Sequence, residues 1–407
     1  MNFVALKMLV GDRGKYFGIV LGIAFAAMLI TQQSSIFVGL MTRTFGFITD
    51  TGYPDIWVMD PKVQFIDDTK PMQDIRLYRV RGVEGVRSAV PLYKGILRAR
   101  LPNGTFQNCN VIGLDDATLT GGPPKMVQGE IAYLRRADGV IVDKVGAEGR
   151  LARPVLDDQG KPVLDEQGKP LPPIPLKVGD VLEINDKRAI VVGICQVQRT
   201  FQSQPVIYTT YSRAINFAPR ERRLMSFICV DAATNANDPQ TPEAKAANIQ
   251  ALCDRIEQRT GLLALPGTAF SWKTVMYFIK FTGIPINFGI AVVLGFLVGT
   301  AIAGQTFYQF TSDNIKQFGA LKAMGTSNSR LLGMIVLQAV VVGLVGYGLG
   351  IGAAAGFGYI TKGSELAFRL LPETLLVTGV AIALICVLAS MLALVKVVRV
   401  EPAIVFK

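Results

Sequence analysis

Residues 281–312 read FTGIPINFGIAVVLGFLVGTAIAGQTFYQFTS, and none of these 32 residues carries a charge. An α-helix needs about 20 consecutive apolar residues to cross the hydrocarbon core of a bilayer, so this stretch is long enough to span a membrane. It is rich in glycine, which soluble helices disfavour but helices in lipid accept, because the bilayer enforces backbone hydrogen bonding. The sequence therefore predicts a transmembrane helix here.

Three further segments lack charges in the same way, at residues 16–42, 331–361 and 374–395. Buried helices of a soluble core are an alternative for the later segments, but such helices carry a polar stripe, whereas these are apolar on every side. For residues 16–42 the alternative is a cleavable signal peptide. No A-x-A site follows this run and the apolar residues resume at 36–41, which favours a membrane span. The sequence thus predicts four transmembrane helices.

Basic residues in the short loops indicate the orientation, because positively charged loops stay on the cytoplasmic side. Residues 1–15, 313–330 and 396–407 together contain nine Lys and Arg but three acidic residues, whereas the loop 362–373 has no net charge. We therefore expect both termini and the 313–330 loop in the cytoplasm, with residues 1–15 forming an amphipathic segment. The long segment 43–280 and the loop 362–373 are expected outside.

The segment 43–280 contains 31 basic and 26 acidic residues, a mixed surface that is not typical of a nucleic-acid-binding protein. Alternating apolar runs predict strands, and longer periodic runs predict helices. The predicted strands are residues 55–59, 95–101 and 189–194, and the predicted helices are residues 73–81 and 242–259. Asn103-Gly104 lies after one strand and is a strong hairpin signal. The expected fold is an integral membrane α-helical protein with a large α+β extracytoplasmic domain inserted between helices 1 and 2.

An internal repeat interrupts this segment, because VLDDQGKP at residues 155–162 is followed at once by VLDEQGKP at 163–170. A duplication rich in Pro and Gly is most simply a surface insertion, here residues 154–175. A flexible finger that touches a partner is the alternative. Adjacent acidic residues are interpreted as solvated turn residues; they are Asp67-Asp68, Asp115-Asp116 and Asp157-Asp158.

Several chemistries are excluded by composition. The chain has no histidine, which removes Ser-His-Asp and Cys-His catalysis and His-based metal sites. It has no C-x-x-C pair and no G-x-x-x-x-G-K-[ST] P-loop, so it cannot bind ATP by that route. The charge-free spans disfavour an ion-coupled transporter.

Four of the five cysteines lie in the outside segment, where disulfides are possible: Cys109, Cys195, Cys229 and Cys253. Cys229 and Cys253 lie inside a predicted strand and helix, which favours buried free thiols.

The 313–330 loop contains the strongest functional signal. Ile315, Phe318 and either Leu321 or Lys322 follow helical spacing, and the pattern ends at Gly325, which is typical of a helix C-terminus. We predict a short amphipathic helix under the membrane. Such a helix either rests among lipid headgroups or docks into a soluble partner.

These features together resemble the FtsX-like, MacB-type permease family of ABC transporters, and within it the DevC-like exporter subunits. One span, a large outside domain and three more spans form the family layout, and residues 315–325 followed by 330–338 resemble its most recognisable stretch. Weaker matches are residues 22–26, 83–93, 295–299 and 401–404. The 154–175 insertion departs from the family pattern.

The resemblance implies that a separate ABC ATPase binds the cytoplasmic loop, so that residues 315–325 would be a coupling helix. Phe318 and Leu321 would then be apolar anchors in the ATPase. The implied coupling residues are Ile315, Lys316, Phe318, Leu321, Lys322, Met324 and Gly325. The chain itself would be non-catalytic and hold no metal or cofactor, since ATP and magnesium would bind to the ATPase.

The family also implies a homodimer whose stiff helices transmit ATP-driven motion to the outside domain. Paired small residues in the spans either pack helices within one chain or join two chains, because the same pattern serves both. They are Gly22 and Ala26, Gly295 and Gly299, and Gly346 and Gly350.

DevC-like members imply a location in the bacterial inner membrane, with the large domain in the periplasm. They also imply a periplasmic adaptor (a membrane fusion protein), an outer-membrane channel, and export of a lipid or other amphiphile. Two alternatives stay open: an FtsX-type regulator that activates an extracytoplasmic hydrolase without export, and an ectoenzyme anchored by four helices. The missing histidines disfavour the ectoenzyme.

Overall fold

The computed structural model describes residues 2–52, 54–101, 103–155, 163–165, 168, 170–233 and 241–398. The chain forms two compact units, which are called here the helical unit (Met1–Leu40 with Thr282–Lys407) and the α+β unit (Met41–Phe281). The predicted family segment 401–404, Asp157-Asp158 and most of the repeat lie outside the described residues. Within the repeat, Leu164 pairs with Pro170 in an isolated antiparallel bridge.

The helical unit contains four helices that are long and apolar enough to cross a membrane. They are α2 (Arg13–Thr44), α9 (Ile284–Asp313), α11 (Asn328–Ile360) and α12 (Pro372–Val398). This confirms the four predicted apolar helices. The helices are longer than the charge-free segments. A charge-free segment indicates the part of a helix that lipid can surround, whereas the helical backbone itself continues through charged residues such as Arg330.

Two shorter helices complete the described part of this unit. Helix α1 (Asn2–Gly11) precedes α2, and helix α10 (Ile315–Ala323) lies between α9 and α11. Ala5 and Leu9 of α1 are fully buried. The Nε2 atom of Gln338, on α11, donates a hydrogen bond to the carbonyl oxygen of Ala5 at 2.8 Å. One side of α1 therefore belongs to the core of the helical unit.

The described part of the α+β unit is built on ten strands in the order β10-β1-β9-β2-β3-β8-β5-β7-β4, with β6 pairing with β2 and β7. The strands are β1 (Ile56–Met59), β2 (Val86–Arg100), β3 (Phe106–Leu114), β4 (Lys125–Gln128), β5 (Gly139–Asp143), β6 (Val181–Ile184), β7 (Lys187–Gln196), β8 (Val206–Thr210), β9 (Phe227–Ala232) and β10 (Leu263–Pro266). The helices are α3 (Gly46–Asp50), α4 (Ile75–Arg81), α5 (Lys144–Glu148), α6 (Tyr211–Phe217), α7 (Pro242–Thr260) and α8 (Gly267–Phe281).

Strand β2 joins the two halves of this sheet. Its first half pairs with β9, where Leu92 lies opposite Phe227, and its second half pairs with β3, where Tyr93 lies opposite Gly113. The predicted hairpin is confirmed, since β2 and β3 are antiparallel and Gly104 in their turn has a φ of +82°. A positive φ is a conformation that glycine adopts without steric cost.

The predicted elements of the α+β unit are present with shifted ends. The predicted strand 95–101 is the end of the longer β2, and the predicted helix 73–81 begins at Ile75. The core contains Trp57, which is fully buried with its ring centroid 5.6 Å from that of Phe227 and 5.7 Å from that of Phe270. The Trp57 and Phe227 rings meet edge to face, an arrangement that stabilises a core beyond the buried area.

The cysteines are buried free thiols, and those of the α+β unit are Cys109, Cys195, Cys229 and Cys253. The predicted free state of Cys229 and Cys253 is thus confirmed. Burial raises the pKa of Cys109 to about 12, because an apolar environment disfavours the thiolate.

Asp67 lies in a turn and is exposed, as the sequence predicts, but it also pairs with a buried residue. Its carboxylate pairs with the ammonium of Lys94, whose side chain is 3% exposed. The Lys94 Nζ atom also lies 5.6 Å from the centroid of the Phe47 ring. A buried ammonium needs such partners because an uncompensated charge is costly away from water.

Candidate functional site

The predicted coupling helix is present as α10, which follows α9 after a single residue, Asn314. The Nδ2 atom of Asn314 donates a hydrogen bond to the carbonyl oxygen of Phe310 at 2.8 Å, and its backbone N–H donates to the same oxygen at 3.1 Å. Asn314 thus satisfies the last turn of α9 at the residue that precedes α10. So short a connection leaves little freedom between the two helices.

The C-terminus of α10 closes as the glycine in the sequence predicts. Gly325 has a φ of +89°, and its N–H donates to the carbonyl oxygen of Lys322 at 3.0 Å, while the Thr326 N–H donates to that of Leu321 at 3.1 Å. This pair of hydrogen bonds is the Schellman motif. The motif fixes the direction in which the chain leaves α10 toward α11.

One face of α10 is part of the core of the helical unit. Phe318 is 1% exposed and belongs to the same buried cluster as Phe310, Leu331 and Met334, and Leu321 packs against this cluster while partly exposed. Burying a phenylalanine stabilises a structure by about 2 kcal/mol. The helix is therefore anchored to its own unit by these apolar side chains.

The opposite face of α10 is exposed. Lys316, Gln317, Ala323 and Met324 lie on it, and Met324 is 74% exposed. Positions three, four and seven apart on a helix share one face, so these residues form a continuous strip. We call this strip the α10 surface.

The placement of Phe318 corrects the role that the family resemblance implies for it. An apolar anchor in an ATPase must be accessible, but the Phe318 ring is already packed inside this chain. Helical spacing identifies which side of an amphipathic helix becomes buried and does not identify what buries it. Of the seven implied coupling residues, the structure exposes Lys316, Met324 and Gly325, and it leaves Ile315, Leu321 and Lys322 half-buried.

Charged residues next to the predicted cytoplasmic ends of the spans form a cluster beside this site. The Lys15 ammonium pairs with the Asp12 carboxylate at 2.6 Å and also with Asp313, the last residue of α9. The hydrogen bond from Lys15 lowers the pKa of Asp12. In the sequence, these charges indicated only on which side of the membrane each loop lies, and their pairing was not predicted. The pairing could have been predicted, because residues of opposite charge lie next to two spans on the same predicted side of the membrane.

The six paired small residues all lie in contacts between helices of one chain. A Cβ atom built on Gly299 would lie 2.4 Å from that of Ala26, and one on Gly22 would lie 2.5 Å from Ile302. The other contacts are those of Gly295 with Leu29, Gly346 with Ile23, and Gly350 with Ala27. These contacts pack α2 against α9 and α11. These contacts fit the first predicted role, packing within the chain, and the second, contact between two chains, stays a prediction.

In the residues that the structure describes, no three acidic or cysteine side chains are grouped in a way that would hold a metal ion. The candidate site is therefore the α10 surface together with the connections of α10 to α9 and α11.

Two family models match this chain. The MacB-like periplasmic core domain matches residues 16–252, and the FtsX-like permease C-terminal domain matches residues 289–402. Together with the four apolar helices and the α+β unit, these matches define a permease of the ABC transporter class. Because the first match covers more than half of the sequence, the chain belongs to the MacB-like, FtsX-like permease family. Permeases of this family work with an ABC ATPase partner.

Two solved structures of outside domains are similar to part of the chain. The extracellular domain of the noncanonic ABC-type transporter YknZ from Gram-positive bacteria is 10% identical, with a TM-score of 0.31, and the match covers 52% of this chain and 97% of that domain. The periplasmic region of MacB from Actinobacillus actinomycetemcomitans is 11% identical, with a TM-score of 0.34, and the match covers 54% of this chain and 93% of that region.

Proposed function

We propose that this chain is the membrane subunit of an ABC exporter and that it transmits ATP-driven motion from a separate ATPase to its α+β unit in the periplasm. The observation that carries the proposal is the construction of α10. One face of this helix is fixed in the core by Phe318, while the residues of the α10 surface are exposed.

The connections of α10 favour transmission over simple attachment. Asn314 is the single residue between α9 and α10, and the Schellman motif at Gly325 fixes the path to α11. Helices are stiff along their axes, so a displacement of α10 by a bound ATPase would move the ends of both long helices.

For the export pathway we keep the DevC-like assignment. In it the protein is a homodimer in the inner membrane with cytoplasmic termini, and it works with a periplasmic adaptor and an outer-membrane channel to export a lipid or other amphiphile. The alternative is an FtsX-type regulator, in which the same motion activates an extracytoplasmic hydrolase. The FtsX-like match over residues 289–402 is compatible with both roles and does not distinguish them.

The test is affinity purification of tagged full-length variants in mild detergent, with mass spectrometry of the bound proteins. Lys316→Glu reverses a charge on the α10 surface without touching the core. Lys362→Glu is the matched control, because Lys362 is also exposed and follows the opposite end of α11. We expect Lys316→Glu, and Lys316→Glu combined with Met324→Asp, to lose the ATPase. The control is expected to retain it.

Equal recovery of the ATPase from all variants would remove α10 as the docking element. An adaptor recovered with the control supports export, whereas a cell-wall hydrolase in its place supports the regulator. Phe318→Asp is unsuitable for this test, because a charge at a 1% exposed position would disrupt the core before it could report on docking.

A further inference from the structure

A groove of about 820 Å³ lies on the α+β unit between the loop at residues 61–70 and helix α8. Basic and aromatic side chains dominate its lining. We call it the lysine groove and define it by Lys62, Phe65, Lys70, Lys273, Tyr277 and Lys280. The proposed function uses none of these residues.

The charges in the lysine groove are unbalanced. Four lysines line it, but Asp68 is the one acidic residue in the lining. The Asp68 carboxylate is already paired with Lys70, with 2.6 Å between Nζ and Oδ1, and it accepts a hydrogen bond from the Gln64 N–H. Within the described residues, Lys62, Lys273 and Lys280 have no carboxylate within 4.0 Å. Three positive charges therefore face one open space.

One lysine of the groove is partly shielded from water. Lys273 is half-buried, and desolvation by burial lowers its pKa. A half-buried ammonium attracts an anion more strongly than one in water does, because the effective dielectric constant around it is lower. The charges of Glu257 and Asp68 partly oppose this shift in pKa, so a bound anion would mainly balance the charges of Lys62 and Lys280.

Aromatic rings form the other part of the lining. The rings of Phe65 and Tyr277 are stacked with centroids 4.3 Å apart, and the Tyr277 and Phe281 centroids are 5.2 Å apart. Phe281 is 71% exposed. An exposed ring beside a cluster of ammonium groups suits an amphiphilic ligand better than a small hydrophilic ion.

The position of α8 in the chain indicates where that ligand comes from. Phe281 ends α8, and the apolar helix α9 begins three residues later at Ile284. Aromatic residues and lysines next to the end of a membrane-spanning helix lie at the level of the lipid headgroups. A lysine at this level is close enough to the headgroups to contact an anionic phosphate.

We propose that the lysine groove binds the phosphate of an anionic phospholipid from the adjoining membrane leaflet, with Lys62 and Lys280 contacting the phosphate and Phe281 contacting the acyl chain. This proposal requires the chain to be in a membrane. It does not require that the chain bind an ATPase or export a substrate, so failure of one proposal leaves the other standing.

The test is native mass spectrometry of the full-length protein in detergent with equimolar phosphatidylglycerol and phosphatidylcholine. Lys62→Gln with Lys280→Gln removes two charges from the groove. Lys125→Gln with Lys177→Gln removes two charges from exposed positions elsewhere in the same unit. All four lysines are exposed, so neither double variant should alter the thermal unfolding temperature.

We expect the wild type and the control variant to retain phosphatidylglycerol over phosphatidylcholine. The groove variant should retain it about 30-fold less well, because each lysine near an anionic lipid contributes roughly a fivefold factor. Equal retention by the groove and control variants would overturn the proposal. Displacement of the lipid by an excess of inorganic phosphate would also overturn it, since the site would then bind a soluble anion.

Discussion

Substituting alanine for Gly350 tests whether the small residues of the spans pack helices within one chain. A Cβ atom at this position would lie 2.5 Å from the Ala24 carbonyl oxygen, 2.5 Å from the Ala27 Cβ and 2.9 Å from the Met28 nitrogen. Two of these neighbours are backbone atoms, which cannot rotate away. The substitution therefore forces α11 away from α2.

Gly348→Ala is the matched control. It lies two residues away on the same helix, and a Cβ atom there would meet no atom within 4 Å. Any effect of replacing glycine by alanine on the helix backbone itself is the same at both positions and cancels in the comparison. Only Gly350→Ala carries the cost of overpacking, about 1–3 kcal/mol. We expect it to be less stable than Gly348→Ala by about that cost.

The assay is thermal unfolding of both full-length variants in the same detergent, at several protein concentrations. A lower unfolding temperature for Gly350→Ala at every concentration supports packing within the chain. If the two variants have the same unfolding temperature, Gly350 is not in close contact with α2 and the reasoning is refuted. A difference that appears only where the protein associates would instead place Gly350 between two chains.

Three further predictions concern buried groups. Phe318→Ala should destabilise the helical unit by about 3–5 kcal/mol through the cavity it leaves, and unchanged thermal unfolding would contradict its place in the core. Asp67→Asn should lower the free energy of unfolding by about 2 kcal/mol, because it leaves the buried ammonium of Lys94 without its counter-charge. Unfolding in denaturant measures this change, and an unchanged free energy of unfolding would show that the pair is not formed. With a pKa of about 12, the Cys109 thiol is ionised to about one part in ten thousand at pH 8, so iodoacetamide should modify it only after unfolding, and rapid modification of the native protein would contradict its burial.

The membrane part of the fold could be predicted from sequence because lipid limits composition so strongly. A span such as residues 281–312 has no charge over its whole length, and few soluble structures produce that pattern. Gly325 likewise predicted the end of α10, since a left-handed residue at a helix terminus is nearly specific to glycine. These are features in which one local constraint decides the outcome.

The order of the strands could not be predicted in this way. The hairpin of β2 with β3 is local and was predicted, but the pairing of β2 with β9 joins residues more than a hundred positions apart, such as Leu92 and Phe227. Alternation of apolar residues gives the direction of side chains but not the identity of the neighbouring strand. The same limit applied to Phe318, whose burial was evident from spacing while its partners were not.

The single-residue link at Asn314 has a consequence for the rotational phase of the two helices it joins. Each residue of an α-helix turns the chain by about 100°, so the face that α10 presents is set by the last turn of α9 and cannot be adjusted independently. Inserting one alanine after Asn314 would keep both helices and their composition. It would nevertheless turn Lys316 and Met324 by about a quarter of a circle, away from the direction in which the native chain presents them.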